Sequence, residues 1–431
     1  MTGSESRLWR RPLRQVRGGA GLARLLRAAA GGDIDPDAAR ALAETLGRLR
    51  GPATKFAQIL ATLPGAVDEP LAEALGGLRQ HAPPMRRLFV LRRLERALGA
   101  DWRRHFARFE ETPRFAASLG QVHYGVLADG RAVAVKIQYP DMATALAADL
   151  ANLRLAAPLL RRAAGIDMAD AIEELEARFG EELDYEREAA HMRAMRAALE
   201  PEIASGRLAL PEPVDRLTRT GVLTMTWICG RHLFDAAPAL AQRDRDRIAA
   251  DLVRAWYRPF FTRGLLHGDP HPGNILWQIK DGRLALVDFG CMRSYGAGEV
   301  AAVRALPGLV AGGTPDRIAA ALAALGFADL DDRRLAALMP WLEWLFAPFL
   351  AGGRRPFLPA DRLAEGRARL AAVRARIREA GGIRLPRAFV LLHRSAVVLG
   401  SVITRLEAKG DWRALWDELT SVPPPPPEAG S

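Results

Sequence analysis

His267-Gly-Asp-Pro-His-Pro-Gly-Asn274, followed by Leu286-Val-Asp-Phe-Gly290, is the stretch on which the reading of this chain turns. Asp269 and Asn274 stand in a D-x-x-x-x-N spacing, and Asp288 follows Asn274 by fourteen residues. Phosphoryl transfer needs a positive group on the phosphates, oxygen ligands for Mg²⁺ and a carboxylate near the nucleophile. Asp269 suits the last task, orienting or deprotonating the nucleophile. Asn274, through its amide oxygen, and Asp288, through a hard carboxylate, suit the metal. An isolated Asp-Phe-Gly is a weak signal. Its weight comes from the order of the motifs.

Upstream, Val133-Ala-Val-Lys136 reads as a strand ending in a lysine, the pattern in which the ammonium reaches the α/β-phosphates of a nucleotide. Lysine is scarce: Lys55, Lys136, Lys280 and Lys409 are the four, and the other 57 basic residues are arginine. A compact ammonium and a planar guanidinium are not interchangeable at a tight site, so a retained lysine is informative. The site is therefore read as one for ATP or ADP with Mg²⁺, of the kinase type.

Around these motifs the pattern is mixed. Residues 36–110 read as helices, broken at Pro64, Pro70 and Pro83-Pro84. Gln121–Leu127 and Ala132–Gln138, joined by Asp129-Gly130, read as a hairpin. A helix is predicted from Asp167 to Leu199 with an apolar stripe of Ile172, Leu175, Phe179, Leu183 and Met192. Strands are predicted at Thr220–Trp227, Asn274–Trp277 and Arg283–Val287, with helices elsewhere and an extended proline run at Pro423–Pro427.

The bulk composition excludes several classes. At 431 residues the chain is long for one core. Two cysteines, Cys229 and Cys291, exclude a disulfide framework and a thiolate zinc site. The net charge of +11 is diffuse arginine without an aromatic platform, so nucleic acid is not an expected partner. Ala337–Gly353 is interrupted by Pro340, Glu343 and Pro348, and the uncharged run Ser395–Thr404 is short, so no membrane-spanning helix is predicted. No signal peptide is visible at the N-terminus. Residues 7–27 hold seven arginines and no acid among apolar residues. They fit either a basic amphipathic segment on an anionic membrane or a solvated tail. His267 and His271 lack the companions a zinc site needs and read as loop supports. Cys291 reads as a small packed residue.

Two features depart from ordinary protein kinases. The phosphate-covering glycine loop is replaced by Phe115-Ala-Ala-Ser-Leu-Gly-Gln-Val122, in which only the last Gly-x-Val survives. After Asp288 there is no Ala-Pro-Glu and no long activation segment, so a peptide-docking platform is not expected.

With these residues in view, the chain resembles the AarF/UbiB family of atypical kinases, in its coenzyme Q biosynthesis branch. The resemblance runs from about residue 45 to 420. It rests on Arg50–Gln58, the alanine-rich Phe115–Val122, Val133–Pro140, Glu182-Leu-Asp184, Glu188-Ala-Ala190, both opening motifs and Leu392-His-Arg394. It implies that Lys55 and Gln58 form a Lys-x-Gly-Gln cap over the site, with Ala57 in the glycine position, and that Glu182 and Asp184 receive Lys55. It implies that Glu188 pairs with Lys136, and that Ala116, Ala117, Ser118, Leu119, Gly120 and Val122 lie over the nucleotide. From the residues alone, Glu182, Asp184 and Glu188 would read as a solvated face of an acid-rich helix. Ala57 and Phe115 depart from the family pattern and leave the choice of ATP or ADP open.

The expected fold is α+β, protein-kinase-like and bilobal, with a helical extension. The expected parts are a basic segment (1–30), the extension carrying the cap (31–110), an N-lobe (111–228), a helical C-lobe (229–420) and a proline-rich tail (421–431). By the resemblance, the protein is an atypical kinase or ATPase supporting ubiquinone biosynthesis, acting on a lipid-like precursor or on the biosynthetic complex. Its expected partners are nucleotide, ubiquinone precursors, other quinone-biosynthesis proteins, a membrane surface touched peripherally from the cytoplasm, and a second copy of itself in a homodimer. Alternatives are a small-molecule phosphotransferase of the aminoglycoside or choline kinase type, and a nucleotide-gated scaffold without turnover.

Overall fold

The computed structural model describes residues 85–117, 119–140, 183–328, 330–358 and 386–423, with isolated positions between 142 and 180 and between 372 and 383. Helices and strands mix along the chain, giving an α+β fold. Contacts divide it into two compact units. The first holds the described residues up to Tyr124 together with Val135–Asp184; the second holds Gly125–Ala134 and the residues from Tyr185 onward.

In the first unit, α1 (Arg87–Leu98) buries Val90 and Leu94 on one face, at the four-residue spacing of an amphipathic helix. The chain then makes strands β1 (Phe106–Phe109), β2 (Phe115–Ala117), the body of β3 (Gly120–Leu127) and the end of β4 (Ala132–Gln138). The helical reading of 36–110 fails at β1. Phe106 and Phe109 pack edge-to-face with Trp102, and Phe109 stacks on His123 of β3 at 5.4 Å. The Glu110 N–H donates to the Tyr124 carbonyl. Pairing with a distant strand overrides the local helical period there.

The alanine-rich segment is a tight hairpin: β2 runs antiparallel to β3, with Phe115 opposite Val122 and Ala117 opposite Gly120. Gly120 is needed for packing, because a Cβ there would lie 2.3 Å from the Ile137 carbonyl oxygen. The predicted hairpin 121–138 forms with its turn at Asp129-Gly130, where Gly130 has φ +86°.

In the second unit, α2 (Tyr185–Ala198) buries Tyr185, Glu188, Met192 and Met195. The helix expected over 167–199 is interrupted at Asp184, and Ile172, Leu175 and Phe179 lie outside the described residues. Strand β5 (Leu208–Ala209) follows, then β6 (Val222–Thr226), which leads to Trp227, whose N–H donates to the Ala132 carbonyl, and then β7 (Arg231–His232). The central helix α3 (Gln242–Arg263) buries Ile248, Leu252, Trp256 and Phe260. It delivers the chain to β8 (Leu265–His267). Strands β9 (Ile275–Gln278) and β10 (Arg283–Leu286) form an antiparallel pair in a sheet of order β5-β10-β9-β7, and β11 (Met292–Ser294) pairs with β8.

Helices α4 (Ala297–Gly312), α5 (Pro315–Ala324), α6 (Asp332–Leu350), α7 (Arg387–Arg405) and α8 (Trp412–Thr420) complete the unit. Tyr257, Phe261, Phe349 and Trp416 interlock as an aromatic core between α3, α6 and α8. Buried Glu202 accepts from Arg258 at 2.6 Å, and Arg254 and Arg258 both bond Glu418, tying α3 to α8. The expected tail Pro423–Pro427 lies almost wholly outside the described residues.

Gly264 sets the path from α3 into β8. It is left-handed at φ +63°, and a Cβ would meet the Tyr295 carbonyl oxygen at 2.2 Å. Strain and overpacking both apply. Gly264→Ala should therefore destabilise the protein by roughly 2–4 kcal/mol in chemical denaturation. A loss below about 0.5 kcal/mol would contradict the geometry.

Candidate functional site

The second unit brings together both opening motifs. Strand β8 ends at His267, and its carbonyl accepts from the Trp256 indole at 3.0 Å and the Ser395 hydroxyl at 3.1 Å. The chain turns at Gly268, whose N–H donates to the Cys291 carbonyl at 2.7 Å. A side chain at Gly268 would strike Cys291 Sγ at 2.8 Å, which explains the glycine before Asp269. His271 Nδ1 accepts from the Gly273 N–H at 3.0 Å and so opens the short turn Pro272–Asn274.

Hairpin β9–β10 then closes the distance in sequence between Asn274 and Asp288. Ile275 lies opposite Leu286, and the Val287 N–H donates to the Asn274 carbonyl at 3.1 Å. Asn274 thus sits beside the residue preceding Asp288. Asp288 Oδ1 accepts from the Gly290 N–H at 2.9 Å, which holds the Asp-Phe-Gly turn. Glu188 of α2 is 2% exposed, and its carboxylate lies 3.8 Å from where a Gly290 side chain would begin. Glu188 is therefore no solvated helix position; it is buried against the motif.

His267 joins the two motifs. Its Nε2–H donates to the Asp288 carbonyl at 2.7 Å, and its Nδ1 accepts from the Asp269 N–H at 3.2 Å. Both ring nitrogens are used, so this imidazole has no lone pair left for a metal. Asp269 Oδ2 faces Asn274 Nδ2 at 3.5 Å, and Oδ1 accepts from Arg394 Nη2 at 3.2 Å. With its amide nitrogen turned to Asp269, Asn274 keeps its amide oxygen for other use. An amide oxygen and a carboxylate on neighbouring strand ends make a hard donor set that suits Mg²⁺.

The other expected residues belong to the first unit or lie outside the described residues. Lys136 is a buried residue of β4, at 7% exposure. Ala116 and Ala117 lie on β2, Leu119 in the turn, and Gly120 and Val122 on β3. Asp184 is exposed just before α2. Lys55, Gln58, Ser118 and Glu182 lie outside the described residues.

Arg394 and Ser395 had no role in the motif reading. Arg394 belongs to Leu392-His-Arg394, which entered only through the resemblance and without a role, and Ser395 directly follows it. Helix α7, which carries them, is long and apolar enough to cross a membrane by length and composition. The uncharged run Ser395–Thr404 is only part of this helix, whose apolar residues continue on the N-terminal side of Arg394. Half of that window is buried in the protein, and Arg394 and Ser395 hold the loop.

Strand, catalytic-type loop, metal-type hairpin and bracing helices define a kinase-like fold of an atypical kind. A family model described as the ABC1 atypical kinase-like domain matches residues 77–307, more than half of the chain, and the chain belongs to this family. The relative named atypical kinase COQ8B, mitochondrial, from Rattus norvegicus is 34% identical over 263 residues, covering 60% of this chain and 48% of the relative. Atypical kinase coq-8, mitochondrial, from Caenorhabditis elegans is 34% identical over 261 residues, 58% of this chain and 34% of that one. The chain thus spans about half the length of these curated relatives, or less. The solved structure of Rv3197 with erythromycin, from Mycobacterium tuberculosis, has a TM-score of 0.60 at 28% identity, covering 90% of this chain and 96% of its own.

Burial holds His267 below the usual imidazole range, outweighing the opposite pull of the Asp288 carbonyl and the carboxylates of Asp269 and Asp288. Burial also lowers His123. Both stay neutral to lower pH in the folded protein than in the unfolded chain, which takes up protons as pH falls below about 6.5. Stability is complete above that pH and falls with acid, by at most about 1.4 kcal/mol per pH unit for each imidazole. Melting temperature should drop between pH 7.5 and 5.5. His267→Gln should be less stable at pH 7.5 but should lose less on acidification, and an unchanged slope would refute the assignment.

Proposed function

We propose that this protein is an atypical kinase or ATPase that binds ATP or ADP with Mg²⁺ and supports ubiquinone biosynthesis. The observation that carries the reading is the convergence of Asp269, Asn274 and Asp288 around the His267 bridge. Three motif residues separated in sequence meet with the oxygen donors and the carboxylate that phosphoryl transfer requires.

In this reading Asn274 and Asp288 hold Mg²⁺, which neutralises charge on the phosphate oxygens when bound. By the resemblance, Lys136 would be the cation for the α/β-phosphates and Glu188 its partner acid. Asp269 orients the attacking oxygen and accepts its proton as the γ-phosphorus bond to the bridging oxygen breaks and ADP departs. By the resemblance, Lys55 and Gln58 would serve as the cap motif and Glu182 and Asp184 as the acceptors of Lys55. Ala116, Ala117, Ser118, Leu119, Gly120 and Val122 cover the nucleotide. The chain passes from Gly290 into β11 and reaches α4 at Ala297, with no long segment on which a peptide could lie. That favours a lipid-like precursor or the biosynthetic assembly as the object of the activity. The biosynthetic role rests on the resemblance to coenzyme Q kinases and on the COQ8-type relatives, and a membrane-side location goes with it.

At a nucleotide concentration about 100 times Kd, Mg-ATP should stabilise the wild type by about 2.7 kcal/mol. Asp288→Asn should gain nothing, whereas Asp269→Asn should keep the gain and lose turnover. Retained stabilisation in Asp288→Asn would sink the metal assignment. Quinone pools in a deletion strain should be restored by the wild type and not by Asp288→Asn; equal restoration would detach the biosynthetic role from the metal site, and unchanged pools in the deletion strain would remove the biosynthetic reading.

A further inference from the structure

We propose that Arg394 is the positioning residue for Asp269, and that one turn of α7 sets the catalytic-type loop. The proposal rests on the phosphoryl-transfer reading of Asp269 and extends it to a residue that reading leaves without a task.

The Asp269 side chain is 29% exposed and that of Arg394 22% exposed, so the pair is largely shielded from water. Arg394 Nη2 donates to Asp269 Oδ1 at 3.2 Å. Asn274 Nδ2 faces the other oxygen at 3.5 Å. A carboxylate with a donor on each oxygen has its plane fixed, whereas a carboxylate on an open loop turns freely about its terminal torsion. Which oxygen meets an incoming nucleophile is then decided by Arg394.

The same turn of helix holds the loop backbone. Ser395 donates its hydroxyl to the His267 carbonyl at 3.1 Å. Leu391 Cδ1 lies 3.0 Å from where a side chain at Gly268 would begin. Residues 391, 394 and 395 are spaced three and four apart, so all three face the loop together. They contact His267, Gly268 and Asp269, the consecutive residues that lead into the site. β11 and α4 follow Gly290 closely, and α7 is the helix that supports the loop.

The test compares the full-length wild type with Arg394→Gln, Arg394→Lys, Asp269→Asn and the Arg394→Gln/Asp269→Asn double variant. Mg-ATP affinity, kcat, KM and amide exchange across His267–Asn274 are measured for each. Arg394→Gln should lower kcat about 10- to 100-fold while KM and affinity stay within about threefold. Arg394→Lys should recover much of the loss. The double variant should be no slower than Asp269→Asn alone, because Arg394 acts through Asp269.

Unchanged kcat in Arg394→Gln overturns the proposal. So does a parallel loss of affinity and kcat that lysine fails to rescue, or a further loss added to Asp269→Asn. Absence of Mg-ATP binding by the wild type would be a failure of the phosphoryl-transfer reading itself. In that case amide exchange decides: faster exchange at Gly268 and Asp269 in Arg394→Gln sustains the positioning role, and unchanged exchange overturns it.

Discussion

A single buried imidazole ties this site together. His267 donates its Nε2–H to the Asp288 carbonyl and its Nδ1 accepts from the Asp269 N–H, so one ring fixes the spacing of two motifs. The bridge works only with a neutral ring of defined tautomer. Burial beneath Trp256 and Phe289 keeps it neutral. Protonation would turn Nδ1 into a donor facing another donor, the Asp269 N–H. Secondary structure alone does not create this arrangement. It depends on β8 and β11 pairing, with His267 opposite Met292.

Around that ring the protein removes freedom by two means. The first is steric: Gly264 and Gly268 let backbones approach where any side chain would collide with Tyr295 or Cys291. The second is capture of carbonyl groups. The His267 carbonyl is held by both Trp256 of α3 and Ser395 of α7. Hydrogen bonds to a buried carbonyl are costly to leave unmade, so these contacts lock the loop to the helical core. The loop is therefore carried by the stable interior of the second unit, a suitable base for groups that must be placed within fractions of an ångström.

Much of this was legible beforehand. That Asp269 faces Asn274 and that Asn274 lies beside the turn of Asp288 agrees with the motif spacing, and the β3–β4 hairpin was legible because Asp129-Gly130 sits between valine-rich runs. Three things were not. Glu188 looked like part of a solvated acidic face, since burial against Gly290 comes from a strand turn about a hundred residues away. Strand β1 lay inside a helical pattern and was claimed by pairing with β3 and by Trp102. Arg394 sat in an apolar helix 125 residues from its partner, where no local period could reveal it.

Residue types and their order are readable without a fold: two carboxylates and an amide in kinase-type motifs, and a lysine on a strand. They also determined membership in a kinase-like lineage, because those residue types recur in a fixed order. Which groups lie side by side is set by packing. Hydrogen bonds and ion pairs are short-ranged, so whether Asp269 meets Arg394, or His267 meets Asp288, depends on how helices and strands pack. Spacing along the chain does not encode that packing.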